Sequence, residues 1–241
     1  MFGSNRIPRS KNSALRIVVW NVRMGLSRKW TILSDLKPDI AILPEVSSAL
    51  PTEADHGVWI GSNPTKGLGV VSFGPYTVSR APSYDESLRW IAPVRVNGPV
   101  PFFLLAVWTT YVKGGQAYRQ ADQAVRIYRR EIGRGPTVVA GDFNTYWPGA
   151  FASAKSSIET GLDLISAYHY YYDVRPGREW ESTLYYRGNP KSLIYHYDYC
   201  LVPQAWAEQL HSVRLGKVAD WIKTGLSDHV PLVVDIRKGN R

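Results

Sequence analysis

The sequence contains very little sulfur chemistry, with one cysteine, Cys200, among 241 residues. A single thiol excludes an internal disulfide framework and any zinc site built from several thiolates. Cys200 lies inside an apolar strand pattern, which indicates a buried, inert thiol rather than a nucleophile.

Long apolar runs are also missing, because no stretch approaches the roughly 18 residues that a bilayer-spanning helix needs. No membrane insertion is therefore expected. Residues 1–14 are basic and lack the apolar core of a secretory signal. They predict a disordered tail before a single domain over 15–241, and a cytoplasmic location. Nothing in the sequence predicts an oligomeric state.

Acidic residues are in deficit: 29 Lys and Arg stand against 20 Asp and Glu, which gives a net charge of +9 and a pI near 9.6. Such a surface favours polyanions, namely nucleic acid, an anionic membrane face or a polyphosphate. Basic charge that only aids solubility is the alternative, and charge alone does not choose between them.

Polar residues follow apolar strand patterns at several places in the chain. Residues 137–140 form a buried strand pattern, and Asp142 and Asn144 come directly after it. Phosphate chemistry uses such a pair, an anion that holds a metal or polarises water and a neutral donor that binds a phosphoryl oxygen. The alternative is a local turn in which both side chains bond their own backbone.

Four further segments place polar side chains beside strands: WNVRMG at 20–25, ILPEV at 42–46, YDYCLV at 197–202 and LSDHVPLV at 226–233. Together with GDFN at 141–144, they resemble the endonuclease/exonuclease/phosphatase superfamily over residues 15–236. The resemblance implies cleavage of phosphate esters with a divalent metal. It also implies an α/β fold, the four-layer α/β sandwich, in which two packed mixed and mainly antiparallel sheets are flanked by helices.

The resemblance places the metal at Glu45, because family members carry a glutamate ligand at this position, usually after glutamine rather than Pro44. Mg²⁺ takes one or two carboxylates and keeps several waters, so Glu45 assisted by Asn21 or Asp228 suits it, and Mn²⁺ is an alternative. In isolation, Glu45 would be interpreted as a loop cap.

The catalytic set that the same resemblance implies contains Asp142, Asn144, Asp198 and His229. Asp142 would orient or deprotonate the attacking water, and Asn144 would donate to a non-bridging oxygen. The His229 imidazole would stabilise the pentacovalent phosphorane as a cation or act as a base. Asp198 is its predicted carboxylate partner.

Substrate contacts are predicted at Arg23, Trp108, Tyr111 and Trp147. Pancreatic-type deoxyribonucleases and sphingomyelinases have a second histidine where this chain has Trp108, so a two-histidine acid/base pair is not expected. Arg23 stands where abasic-site endonucleases carry an acid, which suits a phosphate contact and weakens a second metal site.

Local patterns predict helices over 28–36 and 116–132 and an irregular segment over 47–67. The functional hypothesis is a metal-dependent phosphodiesterase, a nuclease with DNA favoured over RNA. Two alternatives stay open: a phosphatase or phosphodiesterase acting on an inositol phosphate or lipid headgroup, and a nucleic-acid-binding relative without catalysis.

Overall fold

The protein forms two six-stranded sheets in a computed structural model that describes residues 13–110, 117–146, 162–191 and 193–237. The first sheet has the order β11-β12-β1-β2-β4-β3 and contains β1 (Ser13–Val19), β2 (Ile40–Val46), β3 (His56–Asn63), β4 (Lys66–Ser72), β11 (Leu210–Leu215) and β12 (Leu232–Arg237).

The second sheet has the order β5-β6-β7-β8-β10-β9 and contains β5 (Thr77–Arg80), β6 (Ile91–Asn97), β7 (Phe102–Trp108), β8 (Thr137–Asp142), β9 (Leu164–Ser166) and β10 (Asp198–Pro203). One parallel pair occurs in each sheet, β1 with β2 and β7 with β8, and the other neighbours are antiparallel.

The described helices are α1 (Trp30–Asp35), α2 (Ala117–Ile127), α3 (Arg129–Ile132), α4 (Ala167–Tyr172), α5 (Gln204–Ala207) and α6 (Val218–Trp221), with short 3-10 turns at Leu26–Arg28 and Tyr186–Gly188. Helices α1, α2, α3 and α6 form the outer layers, and α4 and α5 pack against the cluster between the sheets. None of these described helices is long and apolar enough to cross a bilayer.

Alternating side chains divide the apolar residues into three clusters. Ile17 and Val19 of β1 face the second sheet, whereas Val18 faces α1 and α6 on the outer side. Outward residues of the second sheet, such as Leu105, pack on α2 and α3. Because successive strand residues point to opposite faces, both sheets are buried on both sides. The predicted four-layer sandwich is confirmed.

Several predicted boundaries shift. β1 begins at Ser13, inside the range assigned to the tail, and residues 1–12 lie outside the described structure. The predicted helix over 116–132 divides into α2 and α3 at Tyr128, whose φ of -92° and ψ of 11° depart from helical values. The prediction of an irregular segment over 47–67 was wrong, because it contains β3.

The glycines of β3 and β4 explain that error. The indole of Trp59 lies across Gly61 and Gly67, where an added Cβ would lie 2.7 Å and 2.4 Å from the ring. These glycines therefore make room for a large side chain within a paired hairpin, although in sequence they indicate a break.

A buried ion pair fixes the register of β1 against β12. Arg16 and Asp235 are cross-strand partners, and neither side chain is exposed. The guanidinium donates to Asp235 through Nε at 2.7 Å and Nη2 at 2.8 Å, and through Nη1 to the Leu36 carbonyl at 2.7 Å. Ser212 also donates to Asp235.

This pair makes a pH-dependent contribution to stability. Burial raises the pKa of Asp235, but the hydrogen bonds and charge of Arg16 outweigh burial and hold the pKa below its ordinary value. A carboxyl with a depressed pKa stabilises the fold above its unfolded pKa of about 3.9, and the contribution is lost as pH falls through the folded pKa.

We predict that Asp235→Asn lowers the free energy of unfolding by about 3 to 5 kcal/mol at pH 7, because it leaves the Arg16 charge buried without a counter-ion. The difference in unfolding free energy between variant and parent narrows below about pH 4, where Asp235 of the unfolded chain takes up a proton, and closes as pH falls through the lower pKa of the folded state. Urea denaturation across the pH range measures the loss of unfolding free energy and its dependence on pH. The exposed Asp163→Asn is the control. Equal losses in the two variants would contradict the prediction.

Candidate active site

Strands of both sheets deliver polar side chains to one end of the sandwich. Asn21 follows β1, Glu45 lies near the end of β2, and Asp142 ends β8. Asp198 begins β10 directly opposite Asp142, and His229 precedes β12, which is antiparallel to β1. Parallel neighbours end at the same sheet edge, so the two parallel pairs place these groups together.

His229 is the centre of the group. Its Nδ1 lies 2.7 Å from Asp198 Oδ2, and its Nε2 lies 3.9 Å from Asp142 Oδ2. The three side chains are at most 5% exposed. The structure therefore pairs His229 with Asp198, as the sequence predicted, and adds Asp142 on the opposite side of the ring.

Two amides hold the Asp142 carboxylate. Asn21 Nδ2 donates to Oδ2 at 2.9 Å, and Asn144 Nδ2 donates to the same oxygen at 3.1 Å. The backbone N–H of Asn144 donates to Oδ1 at 2.9 Å. The second amide hydrogen of Asn144 is used by the Thr109 carbonyl at 2.6 Å. Asn144 therefore positions Asp142, and donation to a substrate oxygen would replace one of these bonds.

Burial and charge give the central pair unusual acidities. Burial lowers the pKa of His229, but the Asp198 and Asp142 carboxylates outweigh it and raise that pKa well above its ordinary value. Burial and repulsion by Asp198 raise the pKa of Asp142 despite its hydrogen bonds. His229 is thereby held as a cation, and Asp142 is a stronger base than an ordinary carboxylate.

Glu45 is turned toward the site by a bulge in β2. The register shifts between Pro44 and Val46, and Glu45 has a φ of 59°. Its carboxylate is 20% exposed and lies 3.1 Å from the Lys66 ammonium. That ammonium is also 5.4 Å from the centre of the Trp108 ring. Lys66 was not identified from the sequence.

Arg23 and Asp228 form a second pair at the rim. Arg23 Nε lies 3.7 Å from Asp228 Oδ2, with the two side chains 54% and 23% exposed. The Arg23 backbone N–H donates to Asn21 Oδ1 at 3.0 Å. Asp228 and Asn21 therefore lie beside Arg23, while an exposed guanidinium remains open to solvent.

Backbone strain concentrates at these positions. The backbone φ angles of Arg23, Met24, Glu45 and Asn144 lie between 47° and 61°. This is the left-handed region, which residues other than glycine rarely adopt. Each such residue costs of order 1 to 3 kcal/mol and persists only where its surroundings impose it. Here the two loops that follow β1 and β8 carry the strain, together with the β2 bulge.

Of the three remaining residues that were predicted to contact substrate, the structure describes one. Trp108 is 3% exposed and packs edge-on against Trp90, with ring centroids 4.8 Å apart. Its role in binding stays a prediction. Tyr111 and Trp147 lie outside the described residues.

Three hydroxyl groups that the sequence did not single out support the site. Thr183 Oγ1 accepts the backbone N–H groups of Tyr197 at 2.9 Å and Asp198 at 3.0 Å. Ser227 Oγ donates to the Asn21 carbonyl at 2.7 Å and accepts the His229 N–H at 3.1 Å. Thr109 Oγ1 donates to the Phe143 carbonyl. Serine and threonine are common in loops, so no sequence signal distinguishes these three.

Two sets of side chains offer metal ligands. Asp142, Asp198 and His229 present ligand atoms within 4.8 Å of one another, all buried. Asp198 Oδ1 is buried and has no hydrogen-bond partner among the described residues. Glu45 and Asp228 offer partly exposed carboxylates. The Asn21 side-chain oxygen Oδ1 accepts the backbone N–H of Arg23, whose guanidinium pairs with Asp228. Both sets contain ligand types that a divalent cation accepts, but the protonated His229 of the buried set has no lone pair for a metal. The second set is more exposed and leaves more room for the waters of the cation.

Comparison with known proteins gives a family match. A sequence model described as the Endonuclease/Exonuclease/phosphatase family matches residues 18–229. Among curated proteins, no sequence matches the chain significantly.

Solved structures share the architecture. A 3' phosphatase, NExo, from Neisseria bound to a product DNA hairpin has a TM-score of 0.65 at 21% identity, with 93% of this chain and 100% of that chain covered. The 3'-5' exonuclease NExo from Neisseria meningitidis has a TM-score of 0.64 at 21% identity, with 93% of this chain and 100% of that chain covered. The endonuclease domain of TRAS1, a telomere-specific non-LTR retrotransposon, has a TM-score of 0.63 at 15% identity, with 92% of this chain and 98% of that chain covered. At these identities the likeness establishes the fold.

Gly141 explains why Asp142 reaches its position. It pairs with Val107 across the parallel strands and has a φ of 149°. A Cβ at Gly141 would lie 1.8 Å from the Val107 carbonyl oxygen, far inside van der Waals contact. Only glycine fits this close approach of two backbones.

We predict that Gly141→Ala lowers the free energy of unfolding by at least about 3 kcal/mol, because strand separation or strain must accommodate the methyl group. Gly135→Ala is the control, since a Cβ there meets nothing within 4 Å. Chemical denaturation of both variants measures the difference. A Gly141→Ala protein as stable as its control would refute the steric argument.

Proposed function

The chain belongs to the endonuclease/exonuclease/phosphatase family, and we propose that it is a divalent-metal-dependent nuclease that hydrolyses phosphodiester bonds, with DNA favoured over RNA. One observation carries this proposal: His229 lies between the carboxylates of Asp198 and Asp142 where strands of both sheets end. Family membership and this site support a phosphoesterase. The nuclease assignment rests on further features.

Nucleic acid is the substrate class that the charge favours. The net charge is +9, and polyanions bind such a surface by releasing condensed counter-ions. The Neisseria 3' phosphatase of the same fold was solved with a product DNA hairpin, and the TRAS1 domain is an endonuclease. These two proteins of the same fold support, by analogy, a nucleic-acid substrate for this chain.

We assign the metal to Glu45, Asp228 and Asn21. The buried group already balances two carboxylates with the His229 imidazolium, whereas Glu45 and Asp228 are 20% and 23% exposed. Mg²⁺ keeps several waters, so it favours the more open set. When bound, Mg²⁺ or Mn²⁺ supplies a positive charge that polarises the phosphoryl group. Lys66 and Arg23 pair with these carboxylates and would rearrange.

The chain's own residues provide the acid and base functions. Asp142, whose pKa is raised by burial and Asp198, takes a proton from the attacking water. Asn21 and Asn144 fix its orientation. His229 presents a cationic Nε2 to the charge that develops on the phosphoryl oxygens, while Asp198 holds its Nδ1. The exposed Arg23 guanidinium contacts a phosphate.

We predict that His229→Ala and Asp142→Asn each lower kcat by on the order of 100-fold or more, since each removes an acid/base or electrostatic contribution. The assay offers single-stranded, duplex and abasic DNA, RNA and an inositol phosphate. His56→Ala, an exposed change at the far end of β3, is the control. Unchanged turnover in folded His229→Ala protein would remove the site assignment, and hydrolysis of the inositol phosphate alone would favour a phosphatase.

We predict that turnover requires Mg²⁺ or Mn²⁺ and stops in chelator, because the proposed ligands are hard oxygens. Glu45→Gln should weaken metal binding in calorimetry by about tenfold or more, since it removes a ligand charge. Lys223→Gln, an exposed change on the segment after α6, serves as control. Full turnover after metal stripping would contradict the requirement.

A further inference from the structure

A second basic cleft lies on the molecule outside the residues assigned above. It has a volume of about 400 Å³ and is lined by Trp59, Ser62, Arg80, Tyr84, Glu86 and Arg89, among others. The first two belong to β3, Arg80 ends β5, and the others lie in the connection from β5 to β6. Two edge strands of different sheets thus form its walls.

The cleft's two arginines are exposed. Within the described parts of the chain, neither Arg80 nor Arg89 lies within ion-pairing distance of an acid, in contrast to Arg16 and Arg214, which pair with Asp235. The Arg80 guanidinium stacks 4.8 Å from the centre of the Tyr84 ring. Stacking orients a guanidinium and leaves its N–H donors free for a planar or tetrahedral anion.

Charge in the cleft favours an anion. Arg80 and Arg89 both act on the Tyr84 hydroxyl: burial and nearby acids raise its pKa, and the two arginines oppose the rise. Both arginines line the same cleft as Tyr84. Glu86 is the one acid among the lining residues named above, and the neighbouring Asp85, which also acts on the Tyr84 hydroxyl, is held by the Ser87 N–H at 2.8 Å. The lining itself therefore carries two positive charges and one negative charge.

The topology places the cleft on the same rim as the active site. β8 ends at Asp142, its parallel neighbour β7 ends at Trp108, and antiparallel β6 begins at Ile91 beside that end. β5, antiparallel to β6, therefore runs toward the same rim and ends at Arg80, opposite Val94. Three strand spacings of about 4.8 Å, or about 14 Å, separate β8 from β5. The register places Arg80 level with Val138, four residues or about 13 Å before Asp142, so Arg80 and Asp142 lie about 20 Å apart.

The rim between the two sites is continuous. The Trp108 N–H donates to the Trp90 carbonyl at 2.8 Å, and Trp90 follows Arg89 directly. Lys66, which begins the return strand of the β3–β4 hairpin, lies over the Trp108 ring and beside Glu45. A nucleic-acid strand that crosses this rim from Asp142 to Arg80 would pass Lys66 on the way.

We propose that Arg80 and Arg89 bind a backbone phosphate of the nucleic-acid strand being cleaved, at a subsite separate from the catalytic centre. At the axial rise of about 3.4 Å per nucleotide in duplex DNA, a span of about 20 Å corresponds to roughly six nucleotides. The inference rests on the proposed nuclease function. It specifies a substrate that continues several nucleotides beyond the scissile bond.

The first test compares binding of a double variant with that of a matched control. Arg80→Gln/Arg89→Gln is made in the His229→Ala background, or in Asp142→Asn if that parent does not fold. The control is Arg95→Gln/Arg134→Gln, which removes two arginines from a cleft that also contains one glutamate, Glu131, at the opposite end of the second sheet. Both pairs remove the same net charge.

Fluorescence anisotropy with a labelled dodecamer measures the dissociation constant at several salt concentrations. We expect Arg80→Gln/Arg89→Gln to weaken binding about tenfold near 0.1 M salt and to reduce the log–log salt slope by about one, since one phosphate contact is lost. The control should stay close to its parent. Equal losses in the two double variants, or none in either, would overturn the subsite.

The second test varies substrate length in the catalytically competent protein. The loss of kcat/KM in Arg80→Gln/Arg89→Gln should be larger for a dodecamer than for a trinucleotide, which is too short to cross about 20 Å. Equal losses on both substrates would overturn the inference. If the parent protein cleaves neither the dodecamer nor the trinucleotide but hydrolyses a small phosphate ester, the proposed nuclease function fails, and the subsite fails with it. Cleavage of the dodecamer with no loss in the variant removes the subsite alone.

Discussion

The buried imidazole of His229 joins the two sheets at the functional end of the molecule. His229 precedes β12 of the first sheet, and its carboxylate partners Asp198 and Asp142 belong to β10 and β8 of the second. A charged group this deep is tolerated only with counter-charges and hydrogen bonds. The relative position of the sheets is therefore tied to the site, because a shift would leave an unpaired buried charge.

The rim outside this group follows a different electrostatic rule. Glu45 faces Lys66 and Asp228 faces Arg23, so each partly exposed carboxylate has a cation within 4.0 Å. Such exposed pairs contribute little to stability. Under the proposed function, a metal would bind the Glu45 and Asp228 carboxylates, and the cations that now pair with them would then bind phosphate. The basic rim continues toward Arg80 and Arg89.

Backbone geometry decides where these side chains point. The bulge at Glu45 and the left-handed conformations of Arg23 and Asn144 change the direction of the chain at the strand ends. Gly141 lets β8 approach β7 closely enough to end level with Trp108. Hydrogen bonds at these positions hold the conformations, from the Met24 N–H to the Glu45 carbonyl at 2.9 Å and from the Asn144 amide to the Thr109 carbonyl at 2.6 Å.

Periodicity in the sequence by itself determined most strand positions, because it is a local property of the chain. The motifs, through their resemblance to the endonuclease/exonuclease/phosphatase superfamily, implied the two-sheet sandwich and the partnership of His229 with Asp198. The sequence missed β3, since Gly61 and Gly67 indicate a break unless the Trp59 ring that covers them is known. It also missed Lys66, Thr183 and the cleft arginines Arg80 and Arg89. Those residues gain meaning only from neighbours distant in sequence: Lys66 from Glu45, Thr183 from Asp198, and the arginines from the rim that β5 shares with β8. Tertiary structure decided these features because charge pairing and steric fit depend on distances through space that spacing along the chain does not encode.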